Sequence, residues 1–367
     1  MFVPGVQQGV HLRVPRRAYE SAFALVAISA VLLAWAAFAV GPTSDGSVTA
    51  VPSPEMRSLA FIAPSGRLDQ LLVQDASARG EARVVAEFPS TFTLHARGLA
   101  SPMGDAIAVL WIDGSPVSAH LTVVSLPGGQ RTEVAESFEY FSGLAWTPDG
   151  TRVAALGAGQ RDRSGRFDAR IHVVNAMTGT VESVVGFEQV FGAHPVGYSA
   201  NGNTLLVVIV DESGSALWSI GGELRKLVGQ LSAGQTRDWK LNLDGTKLAF
   251  TEIFRATGSE VARGRMLELR GGAISAIGNS GMQMSPIWRK DSAAPEFGGP
   301  GGTLRLADTF ASVYLAPHAW AADGWLVATV YGSDDATGSL QLIGPSSRHV
   351  LADKAGASFL GFVSDIN

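Results

Sequence analysis

The sequence predicts an all-β protein: a seven-bladed β-propeller closed by its C-terminal strand and preceded by a single N-terminal transmembrane helix. Three observations carry this expectation. A short phrase recurs seven times, most copies are followed by further strand-like runs, and one uncharged stretch of twenty residues stands near the N-terminus.

The phrase is clearest at 143–150 (Gly-Leu-Ala-Trp-Thr-Pro-Asp-Gly), 196–202, 240–245, 286–292 and 318–324, with weaker copies at 99–104 and 361–366. Successive copies are 46, 52, 43, 47, 32 and 42 residues apart, the period of propellers and solenoids. Each copy is an apolar stretch, a turn and a second apolar stretch. In Thr147-Pro148-Asp149-Gly150 the proline presets φ, the aspartate bonds its own backbone and the glycine accepts φ > 0, which makes a β-hairpin. Four residues before the turn glycine or its equivalent stand Ala100, Trp146, Tyr198, Leu241, Trp288, Trp320 and Phe362. Five of these seven are aromatic in a chain that is 8% aromatic, so the position is expected to be packed core between blades rather than a ligand platform.

Third and fourth strands follow the hairpins, as at Ile171–Val174 with Val181–Val185, and at Ala216–Ile220 with Leu224–Val228. Four strands per unit make a propeller blade. The first unit begins at Ser58–Ile62 and lacks an opening strand, while the last apolar run, Ser358–Val363, matches an opening strand with nothing after it. The tail is therefore expected to complete blade one, which removes the free edges of an open array.

The Trp-x-x-Asp-Gly phrase followed by an apolar strand resembles the TolB-like, WD-repeat-related bacterial propellers over residues 57–367. In blade pattern alone the chain is also similar to the propeller half of the actinobacterial LpqB lipoproteins. The resemblance implies a propeller in the bacterial envelope. Two features depart from it: the Asp-Gly turn is degenerate at 99–104, 286–292 and 361–366, and no domain like the one ahead of the TolB propeller is expected here, which counts against a TolB-type role.

Residues 1–20 read as a short cytoplasmic N-terminus and 21–40 as the membrane helix. Twenty helical residues span about 30 Å, the thickness of a bilayer's hydrocarbon core. Arg13, Arg16 and Arg17 precede the segment, and Asp45 and Glu55 lead the charges after it, so the positive-inside bias places the propeller outside the cytoplasm. The competing reading is a secreted protein, with Ala37-Phe38-Ala39 as a signal-peptidase site and Arg16-Arg17 similar to a twin-arginine signal. With no cysteine in the chain there is no lipobox, so the helix is the tether. Residues 41–56, rich in proline and small residues, read as a semi-extended linker.

A net charge of −5 gives no reason to expect nucleic acid as a partner. None of the seven histidines has metal-ligand spacing, and the approaches to the opening strands offer only a mixed set: His95, Tyr140, His194, Arg237 with Asp238, Met284, His318 and Ser358. No metal or other cofactor is expected, and no catalytic residue is assigned. There is no Gly-x-Ser-x-Gly elbow, and Gly298–Gly302 reads as a loop between strands rather than a phosphate cradle. Two basic insertions between second and third strands are the candidate binding residues: Arg161, Arg163 and Arg166 in blade three, and Arg255, Arg263 and Arg265 in blade five. They would flank blade four on one rim, with His194 and His318 at the channel mouth. Arginine forks suit carboxylates, phosphates and protein interfaces. The expected function is a membrane-anchored, extracytoplasmic, non-enzymatic platform for a protein partner; the alternative is a propeller enzyme or small-ligand binder of the lactonase or lyase type that uses the central channel.

Removing residues 1–40 should yield a soluble, folded ring, because every blade phrase lies beyond residue 57. A monodisperse, protease-resistant peak on size exclusion checks this.

Overall fold

The computed structural model describes residues 58–364, apart from 77–79, 92–93, 114–117, 200, 223, 257–258, 279–280, 291, 305–313, 322–323, 333–337 and 346 and the side chains of 255–259. The segments 1–20, 21–40 and 41–56, and with them the expected membrane helix, lie outside the described residues. Every named element of the described residues is a β-strand.

Blade one contains β1 (Ser58–Ser65), β2 (Leu68–Asp75) and β3 (Arg83–Pro89). Blade two contains β4 (Arg97–Ala100), β5 (Ala106–Trp111), β6 (Ala119–Ser125) and β7 (Arg131–Phe138). Blade three follows with β8 (Leu144–Trp146), β9 (Arg152–Leu156), β10 (Phe167–Asn175) and β11 (Val181–Val190). Blade four has β12 (Gly192–Tyr198), β13 (Leu205–Asp211), β14 (Gly214–Gly221) and β15 (Leu224–Ser232). Blade five has β16 (Gln235–Leu241), β17 (Lys247–Ala256), β18 (Ser259–Glu268) and β19 (Ile274–Ala276). A two-stranded sheet of β20 (Met284–Ile287) and β21 (Glu296–Gly298) comes next. Blade six holds β22 (Tyr314–Trp320), β23 (Leu326–Tyr331), β24 (Ser339–Ile343) and β25 (Arg348–Ala352), and the chain ends in β26 (Ser358–Val363).

The order β26-β1-β2-β3 completes the first blade with the tail, as the missing opening strand requires. The number of blades needs correction: among the described residues there are six four-stranded blades, not seven, and the copy at 286–292 builds the β20–β21 pair. The cause is local. After β21 the chain folds back through Gly299 at φ 90°, with the Leu304 N–H donating to the Phe297 carbonyl at 3.0 Å. A Cβ on Gly298 would strike the Leu315 carbonyl and the Pro317 ring, and one on Gly302 the Phe297 carbonyl, so only glycine allows this reversal. The 32-residue interval to the next copy is the shortest of the series. Buried Gln283 joins the short sheet to blade five: its Oε1 accepts the Gly264 N–H at 2.7 Å, its Nε2 donates to Ile277 O at 3.0 Å, and its own N–H donates to Ala262 O at 3.0 Å.

The aromatic position of the phrase packs between blades. Trp146, Tyr198, Trp288 and Phe362 are all buried, and the indoles of Trp146 and Trp288 donate to carbonyls of preceding opening strands, Leu99 O at 3.0 Å and Lys240 O at 3.1 Å. Five of the seven opening strands also carry a bulge. One or two extra residues stand at Val196, Asp238–Trp239, Ser285, His318 and Leu360. In four copies the bulge lies six positions before the turn glycine or its equivalent (196 and 202, 239 and 245, 318 and 324, 360 and 366). Bulges bend a strand and re-aim side chains, and here they decide what these strands present.

Phe362→Ala should cost about 3–5 kcal/mol, a large share of an ordinary domain stability of about 5–15 kcal/mol. Deleting 356–367, which removes β26 altogether, should leave no cooperative unfolding transition in calorimetry.

Candidate functional site

The blade-three insertion, residues 157–166, is an ordered loop built around Asp162. Its Oδ1 accepts the Ser164 hydroxyl at 2.6 Å and the N–H groups of Ser164 and Arg166 at 2.8 and 3.0 Å. These bonds, the Ser164 hydroxyl foremost, hold its carboxyl below the ordinary aspartate range. Arg161 fixes the loop to the ring. Its Nη1 donates to Gly165 O at 3.1 Å and Phe191 O at 2.8 Å, its guanidinium lies 4.4 Å over the Phe167 ring, and its Nη2 is 3.6 Å from Glu139. Burial raises the Glu139 pKa against the opposing pull of Arg161. Arg166 reaches the neighbouring blade, donating to Glu212 Oε1 in the β13–β14 turn at 2.9 Å. Arg163 is exposed and has no partner among the described residues.

The blade-five insertion is a ribbon rather than a loop. β17 and β18 stay paired through Phe254↔Val261, Arg255↔Glu260 and Ala256↔Ser259. Arg265 clasps Glu252 through Nε at 2.8 Å and Nη2 at 2.7 Å, and Glu252 also accepts the Ser232 hydroxyl at 2.8 Å. Arg263 lies 4.9 Å over the Phe254 ring, and the Arg255 side chain lies outside the described ones. Of the six arginines, 161, 166 and 265 are bound into the framework, and 163 and 263 have no ion pair among the described residues.

The two histidines have different surroundings. His194 packs at a tilt of 31° against Trp239, with ring centroids 4.8 Å apart, and burial, aided by Arg97 and Arg161, pushes its pKa down to about 4. His318 is the bulge residue of β22, only 4% exposed; its Nε2 is 2.8 Å from Thr329 Oγ1, and burial with Lys240 nearby pushes it to about 3. Both rings are neutral at physiological pH. Ser90, His95 and Asp69 have the residue types of a nucleophilic triad but not its geometry. The Ser90 hydroxyl (3.1 Å) and Asp69 Oδ1 (2.9 Å) converge on the same Nδ1 of His95, and the Nε2 edge packs on Gly356. Sequence reasoning missed one further grouping. Asp238 (φ 55°) and Ser285 (φ 50°) are left-handed non-glycine residues at adjacent bulges, and Asp238 Oδ2 accepts the Ser285 N–H at 3.1 Å and the Thr251 hydroxyl at 3.3 Å. Nothing in local sequence marks such a backbone. Among the described residues no three His, Asp or Glu are placed to hold a metal ion.

No family model and no curated protein matches the chain. Solved structures do. An acylaminoacyl peptidase of Pyrococcus horikoshii is similar over 82% of this chain and 51% of its own, at 11% identity and a TM-score of 0.57. The β-propeller domain of the trilobed protease from Pyrococcus furiosus is similar over 81% of this chain and 99% of its own, at 10% identity and a TM-score of 0.53. TolB from Acinetobacter baumannii is also among the similar structures, over 85% of this chain and 68% of its own, at 13% identity and a TM-score of 0.48. At these identities the likeness is one of fold. The chain spans about half the length of the acylaminoacyl peptidases it matches.

Because His318 is neutral when folded but has an ordinary pKa of 6.5 when unfolded, its contribution is flat above pH 6.5. Below that it lowers stability by about 1.4 kcal/mol per pH unit until about pH 3, since the unfolded chain binds the extra proton. His318→Gln should therefore lose about 2 kcal/mol less than the wild type between pH 7 and pH 5. Denaturant titrations at the two pH values read the difference.

Proposed function

We propose that this chain is a non-enzymatic protein-binding propeller, anchored by residues 21–40 and displayed outside the cytoplasm, with the rim over blades three to five as the contact surface. One observation carries the reading. The blade-three loop is held to blade four by Arg161 and Arg166, which places exposed Arg163 in a fixed position on the rim. The blade-five ribbon on the same rim carries Arg263. A preordered cationic rim suits a partner that offers carboxylates, because little ordering is left to be done on binding. The anchoring rests on the uncharged stretch and the arginines before it.

The variant to test is Arg163→Ser with Arg263→Ser, which spares the framework arginines. Crosslinking in intact cells followed by mass spectrometry should show the main crosslinked partner reduced at least about fivefold, with an unchanged melting temperature, since exposed charges contribute little to stability. Capture in extracts should also weaken with added salt, which screens exposed charges beyond about 8 Å at physiological strength. Capture indifferent to both changes overturns the rim as the contact surface.

A second reading, a propeller enzyme or small-ligand binder working at the central channel, is favoured by Asp238 and Ser285. Left-handed non-glycine residues cost about 1–3 kcal/mol each and cluster at functional sites.

A further inference from the structure

The opening strands are the innermost strands of their sheets and touch one another around the ring, so their starting residues stand at the wall of the central channel. Arg237, near the start of β16, has a side chain only 25% exposed. Even so, its guanidinium donates no hydrogen bond among the described residues, and its Nε is buried outright without a partner. The framework arginines differ in this respect: Arg161, Arg166 and Arg265 each donate to a carbonyl or carboxylate. A largely buried guanidinium left without an acceptor is costly, and native structures seldom keep one without a use for it.

The neighbouring carboxylate comes close without bonding to it. Asp238 Oδ2 is 3.6 Å from Arg237 Nε, beyond hydrogen-bond reach. The backbone explains the near miss. At φ 55° the Asp238 side chain turns to the next sheet, where Oδ2 accepts the Ser285 N–H at 3.1 Å and the Thr251 hydroxyl at 3.3 Å. Ser285 is itself left-handed at φ 50°. Two strained residues thus hold one carboxylate beside a guanidinium and keep the two from satisfying each other. Asp238 Oδ1 has no partner among the described residues. Other charges nearby are engaged elsewhere: Arg265 clasps Glu252, and Lys240 bears on His318. Tyr314 at the start of β22 closes the far side. Arg237 and Asp238 both bear on its ionisation, and its hydroxyl is spent on the Met284 sulfur, so it contributes a ring rather than a polar contact.

We propose that Arg237 and Asp238 form a site on the channel wall for a free α-amino acid. The guanidinium fork takes the α-carboxylate in a bidentate contact, Asp238 Oδ1 accepts from the α-ammonium group, and the ligand's side chain extends toward the Tyr314 ring. A zwitterion matches this pair because cation and anion stand side by side and sum to no net charge. A carboxylate alone would face Asp238, and an amine alone would face Arg237. The proposal rests on the channel reading rather than on the arginine rim, and it names the ligand class that reading leaves open.

The experiment uses the full chain in mild detergent. A thermal-shift screen with each of the standard amino acids should find at least one that raises the melting temperature. Calorimetry with that amino acid, its N-acetyl derivative and its amide should then show each derivative binding about tenfold more weakly, the worth of one charge-assisted hydrogen bond. Arg237→Gln should no longer distinguish the amino acid from its amide, and Asp238→Asn should no longer distinguish it from its N-acetyl derivative. Both variants should fold, since Arg237 has no hydrogen bond to lose and asparagine tolerates a left-handed backbone. A merely structural role would lower all three affinities together and leave their ratios as they are. Unchanged ratios in the two variants overturn the proposal. A derivative that binds as tightly as the amino acid overturns the zwitterion site but supports a channel ligand of another class, whereas no saturable binding below about 10 mM by any of them overturns both.

Discussion

The pairing of β26 with β1 is the interaction on which the rest of this ring depends. Among the described residues neighbouring sheets pack on one another around the ring, so stability is passed along by nearest-neighbour contacts. Residues 58–363 are joined end to end by the register Ser58↔Val363, Leu59↔Phe362 and Ala60↔Gly361. The same strand then touches blade two, where the Ser364 N–H donates to Gly104 O at 3.0 Å. One strand thus supplies the innermost edge of blade one and a face for its neighbour. Aligning the first and last blades also fixes how far every intervening sheet is rotated.

Given closure, the inner strands need a way to curve, and the bulges supply it. Because the bulge keeps its place relative to the turn glycine in four copies, it is part of the repeat rather than an accident of one blade. What stands at the bulge varies, and chemistry varies with it. Val196 and Leu360 are buried core residues there. His318 turns onto Thr329 and is kept neutral. Asp238 uses the position to accept an N–H from the next sheet, which joins blade five to the β20–β21 pair.

This explains which parts of the molecule were legible in the sequence. The hairpins, the packing of Trp146 and Phe362 and the closing tail follow from local pattern, since apolar runs and turn chemistry repeat whatever surrounds them. The 32-residue interval already held the information that one blade is short, but a count of phrases could not reveal that Gly298–Gly302 reverses the chain after two strands. The site was less legible. Arg161 and Arg163 are two residues apart in the same loop, yet one is held by Phe191 O, Glu139 and the Phe167 ring while the other is exposed, and nothing in their spacing distinguishes them. His318 reads as a loop residue ahead of a strand, but the bulge places it in the core.

The loops and the gaps between blades therefore offer different kinds of surface. On the rim, ion pairs such as Arg166 with Glu212 tie adjacent blades together, so a loop charge keeps its position as the blades breathe. In the gaps, a repeated strap joins outer strands: Arg131 donates to Glu87 O at 2.7 Å and covers the Phe88 ring at 5.0 Å, and Arg225 donates to Gly186 O and covers Phe187 at 5.3 Å. Both straps hold a phenylalanine that leans on a tryptophan of the next blade, Trp111 at 6.2 Å and Trp218 at 5.9 Å. The strap keeps neighbouring blades at a set distance even where the space beneath is not filled. An open cleft between blades three and four, beside Phe187, is thus compatible with a rigid ring, because the contact that sets the spacing lies at its outer margin rather than on its floor.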